Sequence, residues 1–203
     1  MLFQDLYAWW DILDLIKNGG LTMSKVFAFV AEGFEETELI AVIDLLLRAK
    51  IDLKTVSVTG NNDVKGSHGI VIKTDLLIED IDIDSADMLF LPGGIPGTPN
   101  LFANKKLTDA IVRFEESGKK LAAICAAPSI FGKLNILEGK EAVVYPGFED
   151  ELKGAVVSDK KFITSKNIST GKGMGAAIDL GLELIRVLKG SEEADIIAEK
   201  ICY

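Results

Sequence analysis

Residues 119–129 read Lys-Lys-Leu-Ala-Ala-Ile-Cys-Ala-Ala-Pro-Ser. Two lysines lead into a short apolar run, the kind that forms a strand covered on both faces. Pro128 follows, with a φ already suited to the first turn of a helix. Cys125 therefore falls at a sharp strand-to-helix turn. A thiol there faces the positive end of a helix, and its backbone neighbours can point N–H groups at a developing oxyanion. Such a thiol is a candidate nucleophile or redox centre, because the thiolate is the reactive form and the position favours it. Taken alone, the run fits a buried, inert cysteine behaving as a small hydrophobe equally well.

The same rhythm continues on both sides. Residues 25–31 (Lys-Val-Phe-Ala-Phe-Val-Ala) predict a buried strand, broken by Gly33-Phe34. Glu35-Glu36-Thr37-Glu38 then open a helix with acids in its first turn, as the helix dipole favours. Leu39, Val42, Ile43, Leu46 and Leu47 give that helix an apolar face up to Ala49-Lys50. Strands are predicted over 52–59 and 87–91, with a small hairpin over 64–73 around Gly66 or Gly69. The second strand is stopped by Pro92-Gly-Gly-Ile-Pro-Gly-Thr-Pro99. An amphipathic helix is predicted over 104–117, a strand over 120–124 and a helix over 127–134. Short strands follow at 142–144, 155–157, 162–164 and 168–170. A long helix opened by Gly173-Met-Gly175 is expected to reach Lys189, and a terminal helix covers 192–201.

Buried strands alternating with helices predict one α/β domain over residues 23–203, with a mostly parallel sheet. In such sheets ligands bind beyond the carboxyl ends of the strands. Three features fall there together: Glu35–Glu38 after the first strand, Pro92-Gly93-Gly94 after a central one, and Cys125 after its neighbour. Residues 1–22 differ from the rest. Leu6, Trp9, Trp10, Leu13 and Ile16 recur at helical spacing and Asn18-Gly19-Gly20 stops them. The segment reads either as an accessory helix or as an extension ahead of a natural start at Met23.

Composition narrows the function. The chain has 203 residues, 48% hydrophobic and 26% charged, with net charge −9. Its lysine pairs are scattered, so no stable nucleic-acid complex is expected, because phosphate binding needs concentrated cations. Two cysteines and one histidine, His68, do not supply a four-ligand zinc site, and no metal is expected. No run approaches the ~20 apolar residues of a membrane span. No secretory signal is evident, and a reducing, cytoplasmic compartment is expected.

Phe29-Val-Ala-Glu-Gly-Phe-Glu-Glu-Thr-Glu38, Leu91-Pro-Gly-Gly94 and Ala122-Ala-Ile-Cys-Ala-Ala-Pro128, in this order and spacing, resemble the ThiJ/PfpI superfamily. Within it they are most similar to the branch of the Parkinson-disease deglycase (DJ-one) and the bacterial YajL-type proteins. The resemblance runs from about Lys25 to Lys189 and implies a three-layer, flavodoxin-like α/β/α sandwich of the glutamine-amidotransferase type, with a cysteine nucleophile elbow. It implies that Cys125 is the nucleophile and oxidation-sensitive centre and that Glu38 is its carboxylate partner. A protonated acid there donates a hydrogen bond to the thiolate and shuttles protons. The thiol pKa is expected to fall from its usual ~8.5. The implied oxyanion donors are the N–H groups of Gly94 and Ala126, with Gly93 beside them. Glu38 also fits a plain helix-start residue, and Glu35 and Glu36 are expected to cap the helix or lie on the surface.

Two departures stand out. Protease-like members carry a His directly after the Cys; here that position is Ala126, so a Cys-His peptidase dyad is not expected. The deglycase branch often has a His about twenty residues past the Cys; here Tyr145 stands there, able to donate a hydrogen bond but a poor base. His68 falls where relatives often carry an Arg near a dimer contact, and is expected to be structural. Asp44 and Arg48 match a polar pair near that contact. The Gly-rich run 172–176 is expected to line the pocket or bind an anion, without being a nucleotide motif.

The implied function is a cofactor-independent cysteine enzyme of the deglycase or glyoxalase type. It takes methylglyoxal or glycated adducts to a lactate-type product, acts as a homodimer and protects against stress. The alternative is a non-enzymatic oxidative-stress sensor or chaperone working through oxidation of Cys125.

Overall fold

The computed structural model describes residues 24–203, so both readings of segment 1–22 lie outside the described residues. The elements run β1 (Lys25–Val30), α1 (Glu36–Arg48), β2 (Asp52–Ser57), β3 (Asp63–Lys65), β4 (Val71–Lys73), β5 (Leu76–Leu77) and β6 (Met88–Leu91). They continue with α2 (Gly97–Ala103), α3 (Lys105–Glu116), β7 (Lys120–Ile124), α4 (Pro128–Lys133), β8 (Glu141–Ala142) and β9 (Val156–Val157). Last come β10 (Phe162–Ser165), β11 (Ile168–Gly171), α5 (Ala177–Lys189) and α6 (Ser191–Lys200).

Seven strands form the main sheet in the order β10-β11-β7-β6-β1-β2-β5. Every neighbouring pair is parallel except β10 with β11. Side chains alternate across the pleat, so each central strand feeds two cores. Phe27, Phe29, Leu89, Leu91, Leu121 and Ala123 pack with Leu107, Ile111 and Phe114 of α3 and Phe131 of α4. Val26, Ala28, Val30, Met88, Phe90, Ala122 and Ile124 face the other way, onto α1, α5 and α6. Both faces are covered, which is why these strands read as unbroken apolar runs. The result is a three-layer, flavodoxin-like α/β sandwich. Strands β1, β6 and β7 are adjacent, with Ala28 opposite Phe90 and Phe90 opposite Ala122. Their carboxyl ends therefore deliver three loops to one place.

The differences from expectation are local. Residues 97–103 form a helix where Pro-Gly punctuation predicted only a stop. Pro99 lies in that helix's first turn, where its missing N–H costs nothing. The predicted hairpin forms as β3 with β4, Val64 opposite Ile72. The long helix starts at Ala177, after a single 3-10 turn over Met174–Ala176. Among the described residues, no helix is long and apolar enough to cross a membrane.

Candidate functional site

Cys125 has φ +63, a left-handed backbone that non-glycine residues rarely adopt. Both of its backbone polar groups are tied to flanking chain. Its N–H donates to Gly171 O at 2.9 Å, and its C=O accepts from Tyr145 N at 2.8 Å. The parallel pairing of β7 with β11 and the turn at Tyr145 thus hold the bend open, and strain of this kind concentrates at functional sites. The side chain is half-buried.

Glu38 reaches the thiol from the first turn of α1 and is 1% exposed. Its backbone N–H donates to Glu35 Oε2 at 2.6 Å, so Glu35 is the helix cap, as expected. Its Oε2 accepts the N–H of Gly93 at 3.0 Å. Burial pushes the Glu38 carboxyl up to about 7, and the Glu35 charge adds to this. The Cys125 hydrogen bond and the amides of Gly93 and Met174 pull the other way.

With Glu38 ionised, the thiol is not lowered as the sequence led us to expect. Burial first, then the Glu38 charge and hydrogen bond, push it up to about 12, against the lowering by the Ala126 and Gly94 amides. The helix behind it, α4, is only six residues long, so its dipole cannot offset a neighbouring carboxylate. When Glu38 keeps its proton the charge is gone and its O–H can donate to sulfur. The two groups therefore titrate as one pair that tolerates a single negative charge. The Ala126 and Gly94 amides, at the two positions expected for oxyanion donors, are the groups that work to lower the thiol.

Glycine is required next to this pair. A Cβ on Gly93 would lie 2.6 Å from both Cys125 Cβ and Glu38 Oε2. Gly94 has φ +99, and its Cβ would lie 2.4 Å from Glu35 N. Tyr145 is exposed, with its ring beside Gly173 and no hydrogen bond from its hydroxyl among the described residues, and its backbone N–H donates to Cys125 O.

Glu36 corrects the sequence reading. It is buried, not a surface residue, at 5% exposure. Its Oε1 accepts the N–H groups of His68 at 2.7 Å and Ile70 at 3.3 Å, while Oε2 meets Ser67 Oγ and His68 Nδ1. Burial works to raise its pKa, but the bonds from His68 and the loop amides outweigh it and hold the carboxyl at about 2. The helical stripe 36-39-42-46 carried this signal, since Glu36 shares the face of Leu39. The Met174 amide on Glu38 left no trace in the sequence, because a backbone group has no residue code. His68 itself is exposed and serves the loop, as expected. Asp44 and Arg48 pair at 2.6 Å.

The DJ-1/PfpI family profile matches residues 24–187. The chain belongs to the DJ-1/PfpI family. It is 35% identical over 172 residues to Arabidopsis thaliana Protein DJ-1 homolog B, covering 84% of this chain and 39% of that one. The chain thus spans well under half the length of that plant relative. It is 27% identical over 167 residues to Deglycase PYRAB04690 of Pyrococcus abyssi, covering 81% of this chain and 99% of that one. Among solved structures, oxidized Toxoplasma gondii DJ-1 superposes with TM-score 0.85 at 34% identity, over 89% of this chain and 98% of the other. The family match begins at Ser24, where the described residues begin, and ends within α5.

Proposed function

We propose that this DJ-1/PfpI protein is a cysteine enzyme of the deglycase or glyoxalase type, acting on methylglyoxal or its early adducts. The observation that carries the reading is the Cys125–Glu38 pair, a thiol at a left-handed bend against a buried acid pushed up to about 7. The name of the Pyrococcus relative supports it.

In the reactive form the pair's proton rests on Glu38 and the charge on sulfur. Sγ adds to the aldehyde carbon, and the carbonyl π electrons move to oxygen. The Gly94 and Ala126 amides hold that oxyanion, a contribution of about 3 kcal/mol per donor in comparable sites. Glu38 then gives it its proton. As a carboxylate, Glu38 next removes the C–H proton of the hemithioacetal carbon and returns it to the adjacent former ketone carbon, while the hydroxyl proton on the first carbon passes to the former ketone oxygen. This leaves a thioester of lactate. Water cleaves the thioester, lactate departs and the pair regains its proton. Methylglyoxal plus water equals lactate plus one proton released to solvent, so the aldehyde carbon is oxidised and the ketone carbon reduced with no outside oxidant. The scheme calls on no cofactor. Ala126 removes the His that a peptidase dyad would need.

The proposed assembly is a homodimer. Ile40 and Leu47 on α1 and Val71 on β4 expose large apolar side chains. Ile40 and Leu47 flank a cleft with Ile43, Leu53 and Ile72.

The test is methylglyoxal consumption with lactate detection. The native chain should turn over and Cys125→Ser should not; retained turnover in that variant overturns the reading. A second reading, an oxidant sensor, is favoured by the half-exposed thiol beside a protonated acid. Peroxide takes two electrons from sulfur at each step and is reduced to water, giving sulfenate and then sulfinate, which a Glu38 O–H can hydrogen-bond. A chain that accumulates sulfinate under peroxide but consumes no aldehyde would select it.

A further inference from the structure

Beside the Cys125–Glu38 pair lies a cleft of about 460 Å³, lined by Tyr145, Pro146, Lys161, Lys172 and the turn from Gly173 to Ala176. Its wall is tied directly to the thiol's bend: Tyr145 donates its N–H to Cys125 O at 2.8 Å. Ligand pockets commonly span ~300–1,000 Å³, and a three-carbon aldehyde fills only a small part of such a space.

The charge of the cleft runs against that of the chain. The protein carries net charge −9, yet among the described residues the only charged side chains lining this space are two lysines, Lys161 and Lys172. Lys172 N donates to Lys161 O at 2.8 Å, which holds the two residues side by side. Lys161 Nζ lies 3.5 Å from Asp179 Oδ2, and Asp179 is shared with the Tyr203 hydroxyl. Lys172 makes no ion pair among the described residues. A cation without an ion-pair partner among the described residues, next to the turn that lines the cleft, is placed to meet a charge on the substrate.

We propose that this cleft is the second half of the substrate site and that it binds an anionic group, carboxylate or phosphate, carried a few bonds from the reacting carbonyl. The preferred substrates are then anionic carbonyl compounds or adducts rather than neutral aldehydes. Lys172 is the specificity-determining residue and Lys161 supports it. The inference rests on Cys125 being the group that meets the carbonyl.

The test uses a Cys202→Ser background, because Cys202 is the other free thiol and is exposed. Cys125 is alkylated with anionic iodoacetate and with neutral iodoacetamide. Lys172→Gln should slow the iodoacetate reaction about tenfold, the rate equivalent of one pK unit of interaction. The iodoacetamide rate should hold within about twofold, and the iodoacetate preference should fade at high salt. Lys172→Arg should keep it. In the second arm, aldehydes protect Cys125 from iodoacetamide: succinic semialdehyde against butyraldehyde for carboxylate, and glyceraldehyde 3-phosphate against glyceraldehyde for phosphate. The favoured anion should protect about tenfold more tightly than its neutral analogue, and Lys172→Gln should erase the difference. Equal protection by charged and neutral members of both pairs, or an iodoacetate rate unmoved by Lys172→Gln, overturns the proposal. Failure of every aldehyde to protect would instead remove the carbonyl reading of Cys125, while the iodoacetate comparison still decides the anion site.

Discussion

Gly93 donates its N–H to Glu38 Oε2 at 3.0 Å, and a Cβ on that same glycine would lie 2.6 Å from both that oxygen and Cys125 Cβ. One residue therefore both bonds the acid and leaves room for the thiol. Gly93→Ala must push one of them away. Overpacking of this kind costs about 1–3 kcal/mol, and a displacement near 1 Å at reacting groups costs roughly 100-fold in rate. Thermal unfolding and aldehyde kinetics should show a modest loss of stability beside a large loss of kcat. Unchanged kcat would mean that the contact between acid and thiol is not needed.

The titration of the pair makes the second prediction. Glu38 is raised from 4.5 to about 7, so its folded-state preference for the proton is complete below about 4.5 and is lost as pH rises through 7. If the charge released near 7 settles on sulfur, ultraviolet thiolate absorbance rises through that pH. Glu38→Gln, with a weaker amide donor in place of the O–H, should move that rise upward. Its stability relative to the native chain should also improve between pH 4.5 and 7, as the cost of ionising Glu38 disappears. Thiolate absorbance that appears only toward pH 12 would put the charge on the carboxylate and remove the proposed reactive form.

What the sequence made legible follows from what leaves a periodic mark. The three central strands and the helices between them were readable because double-sided burial demands unbroken apolar runs of strand length. Cys125, Glu38 and the Pro92–Gly94 turn could be brought together because parallel strands must deliver their loops to one edge. The sign of the thiol's shift was not readable. It depends on how deeply Sγ is buried and whether Glu38 is charged, which spacing does not record. Helix α2 was hidden because proline and glycine mark a helix start and a loop with the same letters. Strand β5 was missed because two residues make no alternation.

Glu36 gives a stability prediction of opposite sign. Its carboxyl is held at about 2, below the ordinary 4.5, so its contribution is present above 4.5 and is lost as pH falls toward 2. Glu36→Gln leaves the His68 and Ile70 amides facing a neutral acceptor. At pH 7 it should cost about 1.5–3 kcal/mol, the range for hydrogen bonds to a charged group. Denaturant unfolding at a series of pH values should show the gap from the native chain narrowing below 4.5. A gap of constant size would mean that shape, not charge, holds the loop of Ser67 and His68.

The apolar face on α1 and β4 supplies the last prediction. Leu47 is 52% exposed and Val71 57%, in a chain whose remaining apolar residues mostly fill two cores. Scattered exposed hydrophobics are ordinary, but Ile40 and Leu47 stand one above the other at helical spacing and border a common cleft with Ile43 and Ile72. Contiguity of this kind suits the proposed dimer contact. In a two-fold dimer each substitution acts twice, so Leu47→Glu should place two charges in one apolar contact. Sedimentation should find the native chain as a dimer and Leu47→Glu as a folded monomer, since Leu47 is not part of either core. Dimerisation unaffected by Leu47→Glu would move the contact elsewhere. Glu36 and Glu38 lie on the same helix and Glu35 caps it, so loss of the dimer should also perturb aldehyde kinetics, a readout that a contact remote from α1 would leave unmoved.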